Sequence, residues 1–204
     1  MLALVVVANP NPDSFSHALA RTAAQAVAAR GFELASHDLH AERFDPVQPT
    51  GELLNVASDD DLVERHCADL RRADLILVFH PNWWGQPPAI MKGWIDRVFR
   101  LNTAYDYPEG VGPEGVPRGL LRARHALVIN TSNTPAEREA AAFGDPLQVL
   151  WEKCVFGLCG VDSVVRRTYA PMASSTPGSR AHWLRETGGL AAGLADSVLR
   201  RSPA

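Results

Sequence analysis

The stretch Val78-Phe-His-Pro-Asn-Trp-Trp-Gly-Gln-Pro-Pro-Ala-Ile-Met-Lys-Gly-Trp-Ile-Asp-Arg-Val-Phe99 changes character twice. It opens as the end of the apolar run Leu75–Phe79, short and bounded in the manner of a fully buried parallel strand. It breaks at Pro81, passes two tryptophans and Gly85, and restarts at Pro87-Pro88. Proline is favoured at a helix start, where its missing N–H would be unpaired anyway. From Met91 the apolar residues Met91, Trp94, Ile95, Val98 and Phe99 recur three and four apart, one face of an amphipathic helix. The reading is strand, aromatic loop, helix. In a doubly wound sheet such loops lie outside the carboxyl ends of the strands, where ligands bind. Trp83 and Trp84 offer flat apolar surface, and Gly85 allows close backbone approach. That combination suits a planar ring system; the plainer alternative is a pair of loop tryptophans packed over the following helix.

The rest of the chain repeats the alternation. Leu2–Ala8 is a continuous aliphatic run, the mark of a central strand, and it stops at Asn9-Pro-Asn-Pro-Asp-Ser14, where turn formers exclude both helix and strand. An alanine-rich helix follows from Ser14 or Ser16 to Arg30, with Gly31 as its stop. A serine-bearing loop feeding a helix N-terminus is an anion site by its hydroxyls and free N–H groups, or simply a cap. Phe32–Leu39 reads as the second strand. Asp59–Asp61 opens a helix to Arg72, its acids matched to the positive end of the helix dipole. His125–Asn130 and Val161–Tyr169 read as further strands, Pro146–Leu158 and Arg180–Leu199 as helices. The order βαβαβαβαβα predicts an α/β fold, one five-stranded parallel sheet with helices on both faces, as a single domain over residues 1–204.

Two segments carry a specific likeness. Pro81-Asn-Trp-Trp-Gly85 and Pro88-Ala-Ile-Met-Lys-Gly-Trp-Ile-Asp-Arg-Val-Phe99 resemble the signature of the flavodoxin-like NAD(P)H:quinone oxidoreductases. That family includes DT-diaphorases, drug-activity modulators and the reductases that accompany potassium-efflux channels. The resemblance implies a cytoplasmic homodimer that binds a flavin, FMN or FAD, and takes hydride from NAD(P)H. Two electrons would then pass to a quinone or similar flat acceptor in a ping-pong cycle. It places flavin contacts at Asn9, Ser14, Phe15 and Ser16, at Pro81, Asn82, Trp83, Trp84 and Gly85, and at Asn130, Thr131, Ser132 and Asn133. Tyr105, Asp106 and Tyr107 would line the substrate pocket across the dimer interface.

The chain departs from the family pattern in several places. Asn9 stands for a histidine, Ser16 for an asparagine, and Ser132 and Asn133 for two glycines. Cys67 stands where a glutamine is frequent, which leaves FMN against FAD open. The segment Pro135–Gly144 lacks the Tyr and His that relay charge in DT-diaphorases, so no catalytic acid or base is assigned; Arg138 is a possible substitute or an exposed helix arginine. Two other classes stay open: a regulatory flavoprotein partner of a cation-efflux channel, and a flavin-free binding module of the same fold.

Composition narrows the field. The 204 residues carry a net charge of −3, with 20 Lys+Arg against 23 Asp+Glu, which points away from nucleic acid. No apolar segment reaches the ~20 residues needed to span a bilayer, and the first residues read as a strand rather than a signal peptide. The 3 cysteines suit a reducing compartment, with Cys154 and Cys159 expected in the core. His37 and His40 read as surface histidines without a third ligand, so no metal is expected. A Ser/His/Asp hydrolase built from Asp13, Ser14 and His17 is rejected, because neighbours on one loop cannot easily form a triad.

Overall fold

The aliphatic runs at Leu2, Leu75 and His125 form the three central strands of a sheet, buried over their whole length. The computed structural model describes residues 1–54, 58–112 and 114–201. In chain order the elements are β1 (Leu2–Val7), α1 (Phe15–Ala28), β2 (Glu33–Asp38), α2 (Thr50–Leu53), α3 (Asp61–Arg72), β3 (Leu75–Pro81) and α4 (Ala89–Val98). Then come β4 (Tyr105–Asp106), β5 (Arg118–Gly119), β6 (His125–Thr131), α5 (Ala136–Phe143) and α6 (Pro146–Val149). A π-helical run, Leu150–Gly157, continues α6, and β7 (Ser163–Tyr169) and α7 (Pro177–Arg201) complete the chain.

The sheet order is β2-β1-β3-β6-β7, every pair parallel. Alternate residues of the central strands serve two cores. Val5, Leu77 and Ile129 pack under α1 and α7 with Leu19, Ala23 and Leu194. Leu4, Val78 and Val128 face α3, α4 and the π-helical run through Leu70, Trp94 and Phe156. The strand order reverses at β1, with β2 on one side and β3 on the other, the switch point at which ligands enter such sheets.

The five expected strands and their intervening helices stand where the sequence placed them, and several details differ. β3 runs on through Pro81, which pairs with Thr131. The helix from Pro146 is α-helical for one turn only and then widens to π. A short hairpin, β4–β5, was not anticipated, and the helix reading of Arg138 takes form as α5. Between β2 and α3 stands the single turn α2; residues 55–57 lie outside the described ones. Cys159 is buried, but Cys154 is exposed because it lies on the outward side of the π-helical run. His37 is buried rather than on the surface, its ring stacked 3.7 Å from that of His66.

Candidate functional site

Three loops meet at the carboxyl edge of the sheet. After β1, Asn9 Oδ1 accepts from the Asn11 amide and Asn11 Oδ1 from that of Asp13, two successive turns that feed α1. Ser14 caps α1, its Oγ accepting from His17 N at 3.4 Å. Ser16 Oγ lies 3.3 Å from Thr131 Oγ1 and accepts from Asn9 Nδ2 at 3.4 Å, so the β1 and β6 loops are joined directly. After β3, the Asn82 amide donates to the Thr131 carbonyl at 2.7 Å. Trp83 and Gln86 exchange backbone hydrogen bonds of 3.0 Å, which turns Trp84 outward at φ 58°, fully exposed. The β6 loop continues through Ser132 and Asn133. Neither replaces its glycine at a positive φ, so the side chains at these two positions impose no left-handed strain.

The β1 loop, joined to the β6 loop through Ser16 and Thr131, lies beside a cleft that the β3 and β6 loops frame and α5 roofs. Its outer chamber, about 390 Å³, is lined by Asn82, Trp84, Gly85, Arg138, Phe143 and Pro146 among others. An inner chamber of about 200 Å³ adds Asp145, Arg166 and Thr168, and both share Asn82, Ser132, Thr134 and Glu139. Asn82 Nδ2 donates to Glu139 Oε1 at 3.1 Å, which fixes the amide's orientation. Its Oδ1 is then buried without a donor, an acceptor that a ligand N–H would satisfy.

Beneath the cleft lies a buried polar chain. His80 Nδ1 donates to the Pro81 carbonyl at 2.8 Å, which leaves Nε2 to accept from Trp151 Nε1 and Asn130 Nδ2, each at 3.0 Å. Burial pushes the His80 imidazole down to about 4, against the smaller opposing pull of the Pro81 carbonyl. Asn130 Oδ1 accepts from Arg166 Nη1 at 2.9 Å. The same guanidinium donates to Thr168 and Gln148 at 2.8 Å and pairs with Asp145. The chain ties β3, β6, β7 and the start of α6 together under the ligand cleft. His80, Asp145 and Arg166 carry no motif, and sequence reasoning passed over all three.

It also passed over a contact at the head of α1. Ser14 Oγ lies 2.9 Å from His17 Nδ1, and His17 Nε2 lies 2.9 Å from Asp38 Oδ2. The carboxylate comes from the end of β2, not from Asp13. Ser14 and His17 are three apart on one helical turn, which is what lets them meet.

Other residues fall elsewhere. Tyr105 and Tyr107, edge-to-face with centroids 6.1 Å apart, line a separate cavity of about 410 Å³ with Phe99, Pro117, Cys154 and Leu158. Asp106 is held by Arg118. Within one chain they do not join the cleft under α5. Cys67 is buried in the core, its thiol pushed up to about 11 chiefly by burial. His37, Glu42 and His66 bring three candidate metal-ligand atoms within 4.8 Å of one another, so a third ligand type does stand beside His37. Trp94 Nε1 donates to His66 Nδ1 at 2.9 Å, however, which places the ring proton on Nε2, facing Glu42 at 3.1 Å. That tautomer offers a cation no lone pair there. Asp69 holds the far nitrogen of His37 at 3.1 Å. Burial raises the Glu42 carboxyl's affinity for its proton, but hydrogen bonds from His37 and His66 outweigh it and bring the group down to about 2. The cluster is an ionic tie between β2 and α3.

Residues 1–182 match the family model described as a flavodoxin-like fold. The chain belongs to the flavodoxin-like NAD(P)H:quinone oxidoreductase family. It is 27% identical over 197 residues to the human ribosyldihydronicotinamide dehydrogenase [quinone], covering 85% of this chain and 81% of that one. It is 32% identical over 169 residues to an uncharacterized NAD(P)H oxidoreductase of Haemophilus influenzae, with 79% of each covered. Among solved structures, an NAD(P)H:quinone oxidoreductase from Methanothermobacter marburgensis superposes with a TM-score of 0.81 at 21% identity, covering 95% of this chain and 96% of that one.

The residues present fit a flavin in this family's cleft. The unpaired Asn82 Oδ1 calls for a ring N–H. A Cβ on Gly85, at φ 71°, would come within 2.8 Å of Pro146 Cγ, so only glycine keeps this wall of the cleft open without a clash. The first N–H groups of α1 have no partner inside the helix and suit a phosphate.

Proposed function

We propose that this chain is a flavin-dependent NAD(P)H oxidoreductase that reduces quinones or comparable flat acceptors in a ping-pong cycle. The observation that carries the reading is the meeting of the β1, β3 and β6 loops at one edge of the sheet, beside a cleft with an orphaned buried acceptor at Asn82. Bound there, a flavin supplies two-electron transfer between the nicotinamide donor and the acceptor.

The chain's own residues bind and orient. Ser14, Phe15 and Ser16 present hydroxyls and first-turn amides to the phosphate, with Asn9 bracing Ser16. Asn82, Trp84 and Gly85 line one wall, with Pro81 and Trp83 beside them in the same loop, Trp84 as stacking surface and Asn82 as in-plane acceptor. Asn130, Thr131, Ser132 and Asn133 supply the other, held in register by the buried Arg166–Asn130–His80 chain. α5 covers the cleft and limits water. The Arg138 guanidinium stands in the outer chamber, and the buried Arg166 at the inner one; both are cations placed to offset developing negative charge. Tyr105 and Tyr107 face a separate cavity, with Asp106 between them paired to Arg118, which supports a homodimer in which the partner completes the acceptor pocket.

The test is steady-state kinetics with NADH or NADPH and menadione at several fixed concentrations of each. Parallel double-reciprocal lines are expected. Intersecting lines would refute the ping-pong order, and no oxidation of either nucleotide by flavin-loaded protein would refute the function.

A further inference from the structure

Ser14, His17 and Asp38 form a chain of hydrogen bonds whose proton positions are forced. Asp38 Oδ1 accepts from the amides of His40 at 3.1 Å and Ala41 at 3.2 Å, so its carboxylate is fixed with Oδ2 toward His17 Nε2 at 2.9 Å. A carboxylate oxygen only accepts, so Nε2 carries a proton. When His17 is neutral, Nδ1 is therefore bare, and the Ser14 hydroxyl 2.9 Å away must donate to it. Its single proton is then turned into the protein and away from any anion at the head of α1. When His17 is protonated, Nδ1–H donates to Ser14 Oγ instead, and the hydroxyl proton is released toward the anion.

We propose that His17, anchored by Asp38, is a positioning residue for the phosphate-binding Ser14, so that docking a phosphate monoester there draws one proton from solvent onto His17. The inference rests on the flavin reading above. His17 is buried, and the groups around it are few. Arg21 lies one turn further along α1, Ser36 and His37 lie on β2, and Asp38 is the carboxylate in contact with it. The His37 ring is engaged by Glu42 and Asp69. No sulfur or metal chemistry is needed, and the only transfer is the proton.

The experiment is calorimetric titration of the apoprotein with FMN at pH 7.5, in buffers of different ionisation enthalpy. Free FMN is then essentially dianionic, since a phosphate monoester loses its second proton near pH ~6. The wild type is expected to show net proton uptake. Between pH 5 and 8, where imidazoles change charge, the affinity advantage of the wild type over His17→Asn should shrink as pH rises. Comparison with His17→Asn cancels the phosphate's own titration, which acts in the opposite direction.

Asp38→Asn is the decisive variant. An amide can donate to Nε2, which lets neutral His17 carry its proton on Nδ1, so FMN should bind with little proton uptake. Riboflavin, which lacks the phosphate, should show no uptake with any variant. Zero uptake by the wild type, or equal uptake by Asp38→Asn, would overturn the proposal while leaving flavin binding intact. Failure of FMN and FAD to bind at any pH would instead overturn the flavin reading on which it stands.

Discussion

Trp84 holds φ at 58° in the tight turn that Trp83 and Gln86 close, a position that favours glycine, and its large side chain stands fully in solvent. A non-glycine residue in the left-handed region costs about 1 kcal/mol or more, and such strain gathers where a ligand will be met. Trp84→Gly is therefore expected to leave thermal stability unchanged or raised by up to about 1 kcal/mol, while flavin affinity falls severalfold or more as a stacking face worth ~0.5–1.5 kcal/mol is lost. Calorimetry and a flavin titration on the same sample check it; unchanged affinity would remove Trp84 from the site.

His80 makes the second residue-level prediction. Its folded value of about 4 lies below the ordinary histidine value of 6.5, so between these limits the unfolded chain binds the proton that the folded chain refuses. Stability is then complete above pH ~6.5 and is lost progressively as pH falls toward ~4, by about 3 kcal/mol in all. Urea unfolding across that range should show this slope in the wild type and a flatter one in His80→Gln. Equal slopes would show that His80 is not the titrating group. Glu42, held down to about 2, adds its own loss only below pH ~4.5.

At the scale of elements, the signature helix shows both what the sequence reveals and what it hides. The spacing of Met91, Trp94 and Val98 identifies the face of α4 that the core buries, and all three are fully buried. The spacing does not show why Gly93 stands between them. The chain at Pro46 crosses so close that a Cβ on Gly93 would lie 2.3 Å from both the Pro46 Cα and its carbonyl oxygen. Gly93→Ala is expected to cost about 1–3 kcal/mol through this overlap, against the gain in helix propensity an exposed site would give. A denaturation midpoint equal to wild type would contradict the crossing.

The same limit applies to the site. Loops after strands are legible because proline, glycine and asparagine mark them, and so the sequence puts Asn9, Asn82 and Ser132 beyond the ends of β1, β3 and β6. The polar chain from Trp151 through His80 to Arg166 joins residues up to 71 positions apart, and only the sheet order makes them neighbours. Helix α5 shows in the sequence only as the helix reading of Arg138, without bounds, because Ala136–Phe143 is short and its apolar residues are mostly alanines. Cys154 was misplaced because the π-helical run rotates residues away from α-helical periodicity.

At the scale of the whole molecule, the aromatic pair Tyr105 and Tyr107 stands in a cavity apart from the cleft, so a complete acceptor pocket calls for a second copy. Sedimentation should give twice the chain mass of 22.2 kDa. Tyr105→Ala should alter acceptor kinetics more than flavin content, and the reverse result would contradict its assigned place. The proposed activity depends on a flavin held at the β1, β3 and β6 loops. Purified protein should therefore be denatured and its released cofactor identified by chromatography against protein concentration. Close to one FMN or FAD per chain is the expected result. No flavin released, and none bound when both are supplied to the folded protein, would contradict the oxidoreductase and leave a binding module of the same fold.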